Sequence, residues 1–328
     1  MTKWHVGACA LLLAAAACNS GDGDDEEKSS RAAGTEATTT TAAAAAEIDL
    51  THLPVGDGKI STTTPTVGVL CTTQPTNGQG AMTMGPWFNG DGTWDATAKY
   101  TVDGEVEWPH EFSVTVEGDT RVITGNGLPD HPTGVWPVAA DDDAADIDRN
   151  MSMIVEHDFT YELPANPTEN AEPTCAGGEA GVGLNGVLVN VGIDAAGRDA
   201  AAWEVQDTCQ GHPNDAGYHQ HSISDCIEDT RSGEGGHSDL AAYALDGFGI
   251  FGHYGEHGEV LTNEDLDECH GHTHAIEWDG ETVEMYHYHA TYEFPYTIGC
   301  FRGTPINAMA GGGGGGGASP EGMQPPAP

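Results

Sequence analysis

The chain has 328 residues and a formal net charge of −42 at pH 7, because 52 acidic residues are balanced by only 10 basic ones. This charge repels nucleic-acid phosphates and anionic lipid headgroups, so it excludes binding of DNA, RNA or a lipid surface through the folded chain. It favours cation binding or solubility in a salty medium, although most of the carboxylates are expected to be solvated surface.

The N-terminus has the pattern of an export signal. A positive start precedes the apolar stretch Val6 to Ala17, which is too short to span a bilayer. The run from Leu13 to Cys18 resembles a bacterial lipobox, with Ala15 where such boxes usually have Leu. We therefore expect residues 1–17 to be a signal peptide and a lipidated Cys18 to anchor the exported protein to a membrane, facing the periplasm or the cell exterior. Ordinary cleavage after the alanines, with Cys18 unmodified, is the alternative.

Low-complexity segments flank the part of the chain that can fold. Residues 18–46 contain an acidic run and a Thr/Ala tract, and residues 311–328 are rich in Gly and Pro. Neither composition can bury a core, so a disordered tether and tail are expected there. The folded domain is predicted over residues 47–310.

Strand signals dominate this domain. Ala98 to Val102 is short and β-prone, and Phe112 to Val116 and Arg121 to Thr124 flank a Glu-Gly-Asp turn. The stretch Gly181 to Val191 is rich in Val, Leu and Gly. Further on, Asp279-Gly280 is a pair that type I′ turns favour, which predicts a hairpin. The fold class predicted is therefore mainly β, with long loops and disulfides.

Three short motifs occur twice, in the same order and at offsets of about sixty to seventy residues. Ordered matches of rare residues indicate an internal duplication with a pseudo-twofold relation, in units at about 181–226 and 242–300. The motifs are L-x-G (from Leu184 and Leu245), D-x-C-x-G-H (from Asp207 and Asp267) and Y-H-x-H (from Tyr218 and Tyr286).

The cysteines agree with export. Of the eight, Cys9 lies in the signal and Cys18 is the lipidation candidate, so six remain. An even number in an oxidising compartment predicts three disulfides, for which fifteen connectivities are open. The symmetry of the two units favours one pairing over the others, namely Cys209–Cys226 and Cys269–Cys300, which leaves Cys71–Cys175.

The second copy and its surroundings resemble the YHYH-domain proteins. The resemblance is carried by Tyr286 to His289, by Asp265 to Cys269 before it and by Phe294 to Gly303 after it. It continues upstream through Ala244 to Phe248 and covers roughly Met82 to Pro305. The family has no well-defined activity, so the resemblance implies the fold unit and assigns no catalytic residues.

Further matching segments are Gly125 to Pro132 and Gly85 to Trp87. Two positions depart from the family pattern. Gln220 stands in the first copy where Tyr is usual, and Gly249 stands where the family tends to have Pro. Neither departure touches the paired histidines.

Eleven of the sixteen histidines lie between His212 and His289. In a strand, residues two apart share a face, so each Y-H-x-H motif presents two imidazoles on one side. If Asp279-Gly280 is a two-residue loop, the register places His272 opposite His287, and His270 opposite His289. Four imidazoles there can converge on Zn²⁺ or Cu²⁺, and a one-residue slip would separate them.

The first unit has the same elements with a shorter turn. Its register brings His212 close to His219 and His221. Whether the two units form two sites or pool their histidines into one stays open. Three further histidines lie in Gly-rich sequence and are predicted to be exposed loop residues outside the site, namely His237, His253 and His257.

Aspartates recur beside the motifs at Asp207, Asp246 and Asp267. They are candidates either for orienting histidine ring N–H groups or for capping turns. The acidic stretches Asp141 to Asp143 and Asn263 to Asp265 are candidates for Ca²⁺, although no EF-hand spacing is present.

The sequence therefore favours an exported protein that binds copper or zinc through the repeated histidines. A structural or surface-interaction module with Tyr and His in its core is the second hypothesis. A metal-dependent oxidoreductase or hydrolase is the third, and the motifs leave open whether the chain is an enzyme, since hydrolase, zincin and nucleotide-binding patterns are absent. The sequence leaves protein partners open.

Overall fold

Strands form nearly all of the regular structure, as the sequence predicts. The computed structural model describes residues 48–57, 80–227 and 236–306, all within the unit Ala44–Pro328. The predicted signal peptide, tether and tail, with Cys18, lie outside the described residues.

In chain order the strands are β1 (Leu53–Pro54), β2 (Thr93–Trp94), β3 (Thr101–Val102), β4 (Phe112–Glu117), β5 (Thr120–Gly125), β6 (Phe159–Pro164), β7 (Thr174–Cys175), β8 (Glu179–Gly183), β9 (Leu188–Asn190), β10 (Gln206–Asp207), β11 (Gly211–Asn214), β12 (Gly217–Gln220), β13 (Leu240–Ala244), β14 (Gly249–Phe251), β15 (Gly271–Trp278), β16 (Glu281–His289) and β17 (Cys300–Phe301). The helical elements of the described ranges are one α-helix, α1 (Ala200–Trp203), and two 3₁₀ turns, Asp143–Asp146 and Asn263–Asp265. Among the described residues, no helix has the length and apolar character needed to cross a bilayer.

An eight-stranded sheet of order β11-β12-β9-β8-β13-β14-β16-β15 forms the centre of the fold. The strands β8 and β13 meet antiparallel in the middle, and each half continues outward by an antiparallel, a parallel and an antiparallel pairing. The order of pairings therefore reads the same from either edge. A pseudo-twofold arrangement of two units has this pattern, while their origin by duplication stays a prediction.

The outer hairpins of the sheet carry the histidine motifs. In β15–β16, Trp278 pairs with Glu281 and His272 with His287, which confirms the predicted register. The loop residues Asp279 and Gly280 have φ of 52° and 83°, the left-handed conformation that a type I′ turn requires. In β11–β12, the corresponding pair is His212 with His219.

A three-stranded sheet, β4-β5-β6, shares one hydrophobic core with the central sheet. Its first hairpin matches the predicted one, with Glu117 paired to Thr120. From β5 the buried Arg121 reaches across to the tip of the β15–β16 hairpin, where its guanidinium lies 2.8 Å from the Asp279 carboxylate. This contact ties the second hairpin to the rest of the core.

Two disulfides have the predicted pairing, Cys209–Cys226 and Cys269–Cys300. Cys175 is also disulfide-bonded. Its expected partner Cys71 lies outside the described residues. Each of the two described disulfides closes a chain segment that contains one outer hairpin.

Candidate metal centres

The first group of converging imidazoles consists of His212, His219 and His221, and we call it the three-histidine cluster. Their ligand nitrogens lie within 4.8 Å of one another, and all three side chains are buried. The ring centroids of His212 and His219 are 4.5 Å apart because these residues pair directly across β11 and β12. The prediction that His212 lies beside the two histidines of the Y-H-x-H motif is confirmed.

Hydrogen bonds to the backbone fix the tautomers in this cluster. The Nδ1 atom of His221 lies 2.6 Å from the Val191 carbonyl oxygen, and that of His219 lies 3.3 Å from the Gly217 carbonyl oxygen. A carbonyl oxygen only accepts, so each Nδ1 carries the hydrogen and each Nε2 keeps a lone pair. This is the form of imidazole that binds a metal ion.

A buried carboxylate, that of Glu204 at the end of α1, lies beside this cluster. Its Oε2 atom lies 3.4 Å from Nε2 of both His212 and His221. Neither this oxygen nor either ring nitrogen of His212 has a hydrogen-bond partner among the described residues. Burial raises the pKa of Glu204 well above its ordinary value and lowers the pKa of His212 well below its own. The two groups therefore lack the charge compensation that a cation would supply.

The second group, the five-histidine cluster, lies at the opposite edge of the central sheet. The Nε2 atom of His237 lies 3.3 Å from Nε2 of His287 and 3.0 Å from Nε2 of His289. Strand β15 contributes two more imidazoles whose buried Nε2 atoms have no hydrogen-bond partner in the described structure. The members, with ligand nitrogens all within 4.8 Å of one another, are His237, His272, His274, His287 and His289.

The tautomers are fixed here as well. The Nδ1 atoms of His274, His287 and His289 lie 3.0, 3.0 and 2.7 Å from backbone carbonyl oxygens. Their Nε2 atoms therefore carry lone pairs. The Nε2 atom of His237 carries at most one hydrogen, so it cannot donate a hydrogen bond to the lone pairs of both His287 and His289.

Burial also favours the neutral form of His237, His272 and His287. It lowers the pKa of His287 to about 2, and the pKa values of His237 and His272 to about 4. In the three-histidine cluster burial lowers the pKa of His219 to about 3 and that of His221 to about 4. At neutral pH both clusters thus present unprotonated nitrogens to a metal ion.

Comparison with known families agrees with the motifs. The family model described as YHYH protein matches residues 160–259. The chain carries a YHYH domain. The comparisons with curated proteins and with solved structures give no match.

The matched part of the YHYH domain runs from β6 past β14. It includes the three-histidine cluster, Glu204 and His237, and it ends before β15. The motif histidines form two separate groups in the described residues, which answers the question of one pooled site or two. A third group, of His131 with Cys209 and Cys226, has its sulfurs joined in a disulfide, which leaves them unavailable as thiolate ligands.

The structure does not bring His270 into the five-histidine cluster. This residue has φ of 77° and ends the turn before β15, so its ring leaves the face that the strand would give it. Its Nδ1 contacts the carbonyl oxygens of His289 and Thr297, and its Nε2 lies 2.9 Å from Oδ1 of Asn263. In the first half Gln210 holds the same position with φ of 59°. The expectation of His270 as the partner of His289 in the cluster is therefore corrected.

Two cluster members were missed from the sequence. His274 lies two residues after His272 on β15, so the rule that selected His287 and His289 would also select it. The prediction of His237 as an exposed loop residue is wrong, because its ring packs 5.0 Å from that of Phe251. His253 is buried too, whereas His257 is exposed as predicted.

The recurring aspartates bind tyrosines and backbone rather than histidine rings. A carboxylate oxygen of Asp207 lies 2.8 Å from the Tyr218 hydroxyl, and Asp267 lies 2.9 Å from that of Tyr286. Both also accept from backbone N–H groups of their own turns. Asp246 likewise accepts from a tyrosine hydroxyl, 2.6 Å away. Of the two roles considered, turn capping is the one observed.

The acidic stretches proposed for calcium take no part in a ligand group. Among the described residues, the groups with metal-binding spacing contain only histidine and cysteine. In the segment 141–143, Asp142 instead caps a 3₁₀ turn, and in 263–265 the carboxylate of Asp265 accepts from Thr262.

Proposed function

We propose that the chain is an exported, lipid-anchored protein that binds transition-metal ions, copper or zinc, in its two histidine clusters. The observation that carries this proposal is the convergence of His237, His287 and His289, whose Nε2 atoms are 3.0 and 3.3 Å apart. Two of these nitrogens have their lone pairs directed inward by backbone hydrogen bonds at Nδ1. A cation bound between them removes the repulsion of the lone pairs.

The spacing suits a metal ion. Nitrogens that bind one tetrahedral ion at about 2.0–2.1 Å lie about 3.3 Å from each other. The observed separations of 3.0 and 3.3 Å are close to this value, so the rings need little movement to bind. Such preorganisation supports binding over a purely structural use of the rings.

A structural role belongs instead to the tyrosines of the same motifs. Tyr218 and Tyr288 are fully buried, and Tyr286 is nearly so. On the opposite face of β16 from the histidines, Tyr286 and Tyr288 pack against Phe248. The second hypothesis thus accounts for the tyrosines, and metal binding accounts for the histidines.

Sequestration or transfer of metal fits the site better than catalysis. Two cavities among the described residues lie away from the clusters, one lined by Phe112 and Phe159 and the other by Trp108 and Met153. A catalytic metal needs an open coordination position beside a substrate pocket. Export is supported by the N-terminal signal pattern and by the disulfide-bonded cysteines.

Metal analysis of the full chain tests this proposal. The protein, produced without a histidine tag, is dialysed against excess Zn²⁺ or Cu²⁺ and then against buffer, and bound metal is measured by mass spectrometry. We expect two ions per chain. The double variants His219→Ala/His221→Ala and His287→Ala/His289→Ala should each retain one.

The exposed His257 provides the matched control, since His257→Ala should retain both ions. Circular dichroism and thermal unfolding establish that the variants fold. The proposal fails if the folded wild type binds no ion tighter than micromolar, or if both double variants keep the full metal content.

A further inference from the structure

The two clusters offer different donor sets. The three-histidine cluster has a carboxylate beside it, with Oε2 of Glu204 at 3.4 Å from Nε2 of both His212 and His221. Glu204 is 5 % exposed and His212 is 4 % exposed, so this carboxylate is directed into a closed site. The three imidazoles form the group of converging ligand atoms, and the carboxylate beside two of them is a candidate fourth donor.

The five-histidine cluster is all imidazole. Its group of converging ligand atoms includes no carboxylate oxygen within the described residues. Glu256 comes near, with Oε1 at 3.8 Å from Nδ1 of His274, but this nitrogen faces away from the cluster and already bonds to the Ala275 carbonyl. Five imidazole nitrogens are therefore the whole donor set in the described residues.

We infer that the clusters hold different ions, a divalent zinc-type ion at the three-histidine cluster with Glu204 as its fourth ligand, and copper at the five-histidine cluster. This inference rests on the proposed function. Four donors including one carboxylate suit tetrahedral zinc, and the carboxylate offsets part of the charge of a buried divalent ion. Imidazoles in larger number suit tetragonal copper, which prefers nitrogen ligands.

The two clusters also differ in their access to solvent. All donors of the three-histidine cluster are buried, as in metal sites that hold an ion permanently. In the five-histidine cluster, His237, His272 and His274 are only partly buried. Copper bound there can exchange with the surroundings, while zinc in the closed cluster is retained.

Competition at limiting metal tests the assignment, because copper in excess would displace zinc from either site. The metal-free full chain receives one equivalent each of Zn²⁺ and Cu²⁺. We expect the copper electron paramagnetic resonance spectrum to show nitrogen couplings, and to be lost in His287→Ala/His289→Ala but kept in His219→Ala/His221→Ala. Zinc content should show the reverse dependence.

The carboxylate is tested separately. Glu204→Gln keeps the shape of the side chain and removes its charge, so we expect the dissociation constant for zinc to rise at least about tenfold and copper binding to stay unchanged. Glu256→Gln is the matched control and should alter neither ion. If Glu204→Gln does not fold, the spectra of the histidine variants decide the assignment.

The outcomes separate the two proposals. Three results would overturn the assignment while metal binding stands. The first is an even distribution of both ions over both clusters, and the second is loss of the copper spectrum in His219→Ala/His221→Ala instead. The third is an unchanged zinc affinity in Glu204→Gln. Absence of any bound ion in the folded wild type removes the proposed function itself.

Discussion

At the scale of single residues, the turn-capping aspartate of each D-x-C-x-G-H motif binds the tyrosine of the Y-H-x-H motif that follows it. Asp207 joins Tyr218, and Asp267 joins Tyr286, in both cases within 3.0 Å and away from solvent. The carboxylate is desolvated, which raises its pKa, and the hydroxyl and backbone donors stabilise its charged form. The D-x-C-x-G-H and Y-H-x-H motifs are thus two halves of one hydrogen-bonded unit.

The buried hydroxyl of Tyr288 provides a direct test of this kind of pairing. It donates to Asp246 at 2.6 Å and accepts from the Arg302 backbone N–H at 2.7 Å. Tyr288→Phe removes one hydrogen bond from each partner, and Asp246 keeps its backbone donors at Gly303 and Phe248. We therefore expect a loss of about 1.5–3 kcal/mol in the free energy of unfolding, measured by urea denaturation. Tyr100→Phe, on a partly exposed ring, should lose less than about 0.5 kcal/mol. Equal losses in the two variants would refute the pairing argument.

The glycine of the D-x-C-x-G-H motif is required by close contact with the facing strand. A Cβ at Gly271 would lie 2.4 Å from the His287 carbonyl oxygen and from the Tyr286 hydroxyl. We therefore expect Gly271→Ala to destabilise the fold by about 1–3 kcal/mol in denaturant titrations and to weaken the five-histidine cluster. Gly118→Ala is the control, because Gly118 has a φ of 65° and no atoms lie where its Cβ would be. This variant measures backbone strain alone and should leave metal binding unchanged. An intact cluster in Gly271→Ala would contradict this explanation.

At the scale of elements, each disulfide loop encloses a candidate metal centre. Cys209–Cys226 spans 17 residues and contains the whole three-histidine cluster. Cys269–Cys300 spans 31 residues and contains four of the five members of the other cluster. The oxidised cysteines thus restrict the chain segments whose histidines must converge.

Removal of one loop closure should therefore act locally. We expect Cys209→Ala/Cys226→Ala to lower the free energy of unfolding by about 3 kcal/mol, since closure of a loop of this size contributes about that much. Metal content should fall at the three-histidine cluster and remain at the five-histidine cluster. Parallel urea titration and metal analysis measure both effects, and loss of metal from both clusters together would show that the halves are not independent.

At the scale of the whole molecule, the symmetric sheet places the two clusters at opposite edges. The hairpins β11–β12 and β16–β15 are the terminal pairs of the eight-stranded order. The paired histidines of each cluster therefore come from one outer hairpin, and Glu204 or His237 approaches from a segment outside that hairpin. The large acidic excess of the chain favours accumulation of cations near both edges.

Metal removal should lower the stability of the whole domain. An ion that binds only the folded chain adds about 2.7 kcal/mol when its free concentration is one hundred times its dissociation constant. We expect the melting temperature, followed by calorimetry, to fall when EDTA removes the ions and to recover when zinc and copper are restored. Magnesium serves as the control and should restore nothing. Identical melting curves with and without the transition metals would contradict two buried centres.

Much of the candidate site could be predicted from the sequence because its decisive contacts are local. The Asp279-Gly280 turn and the two-residue period of a strand together set the register that pairs His272 with His287. The same period places His219 beside His221, and a short hairpin returns His212 to them. Symmetry of the repeats was enough for two disulfide pairings.

The tertiary structure decided what local rules do not contain. Glu204 reaches the three-histidine cluster from the end of α1, and His237 reaches the other from the segment before β13, and no pattern in the sequence links either residue to its cluster. The left-handed backbone of His270 turned its ring out of the cluster, although its spacing suited a strand. By itself the sequence determined the hairpins, their register and the histidines that alternate along them, because these depend on turn type and strand period. Which further side chains reach each cluster was decided by packing between elements that turn type and strand period do not connect.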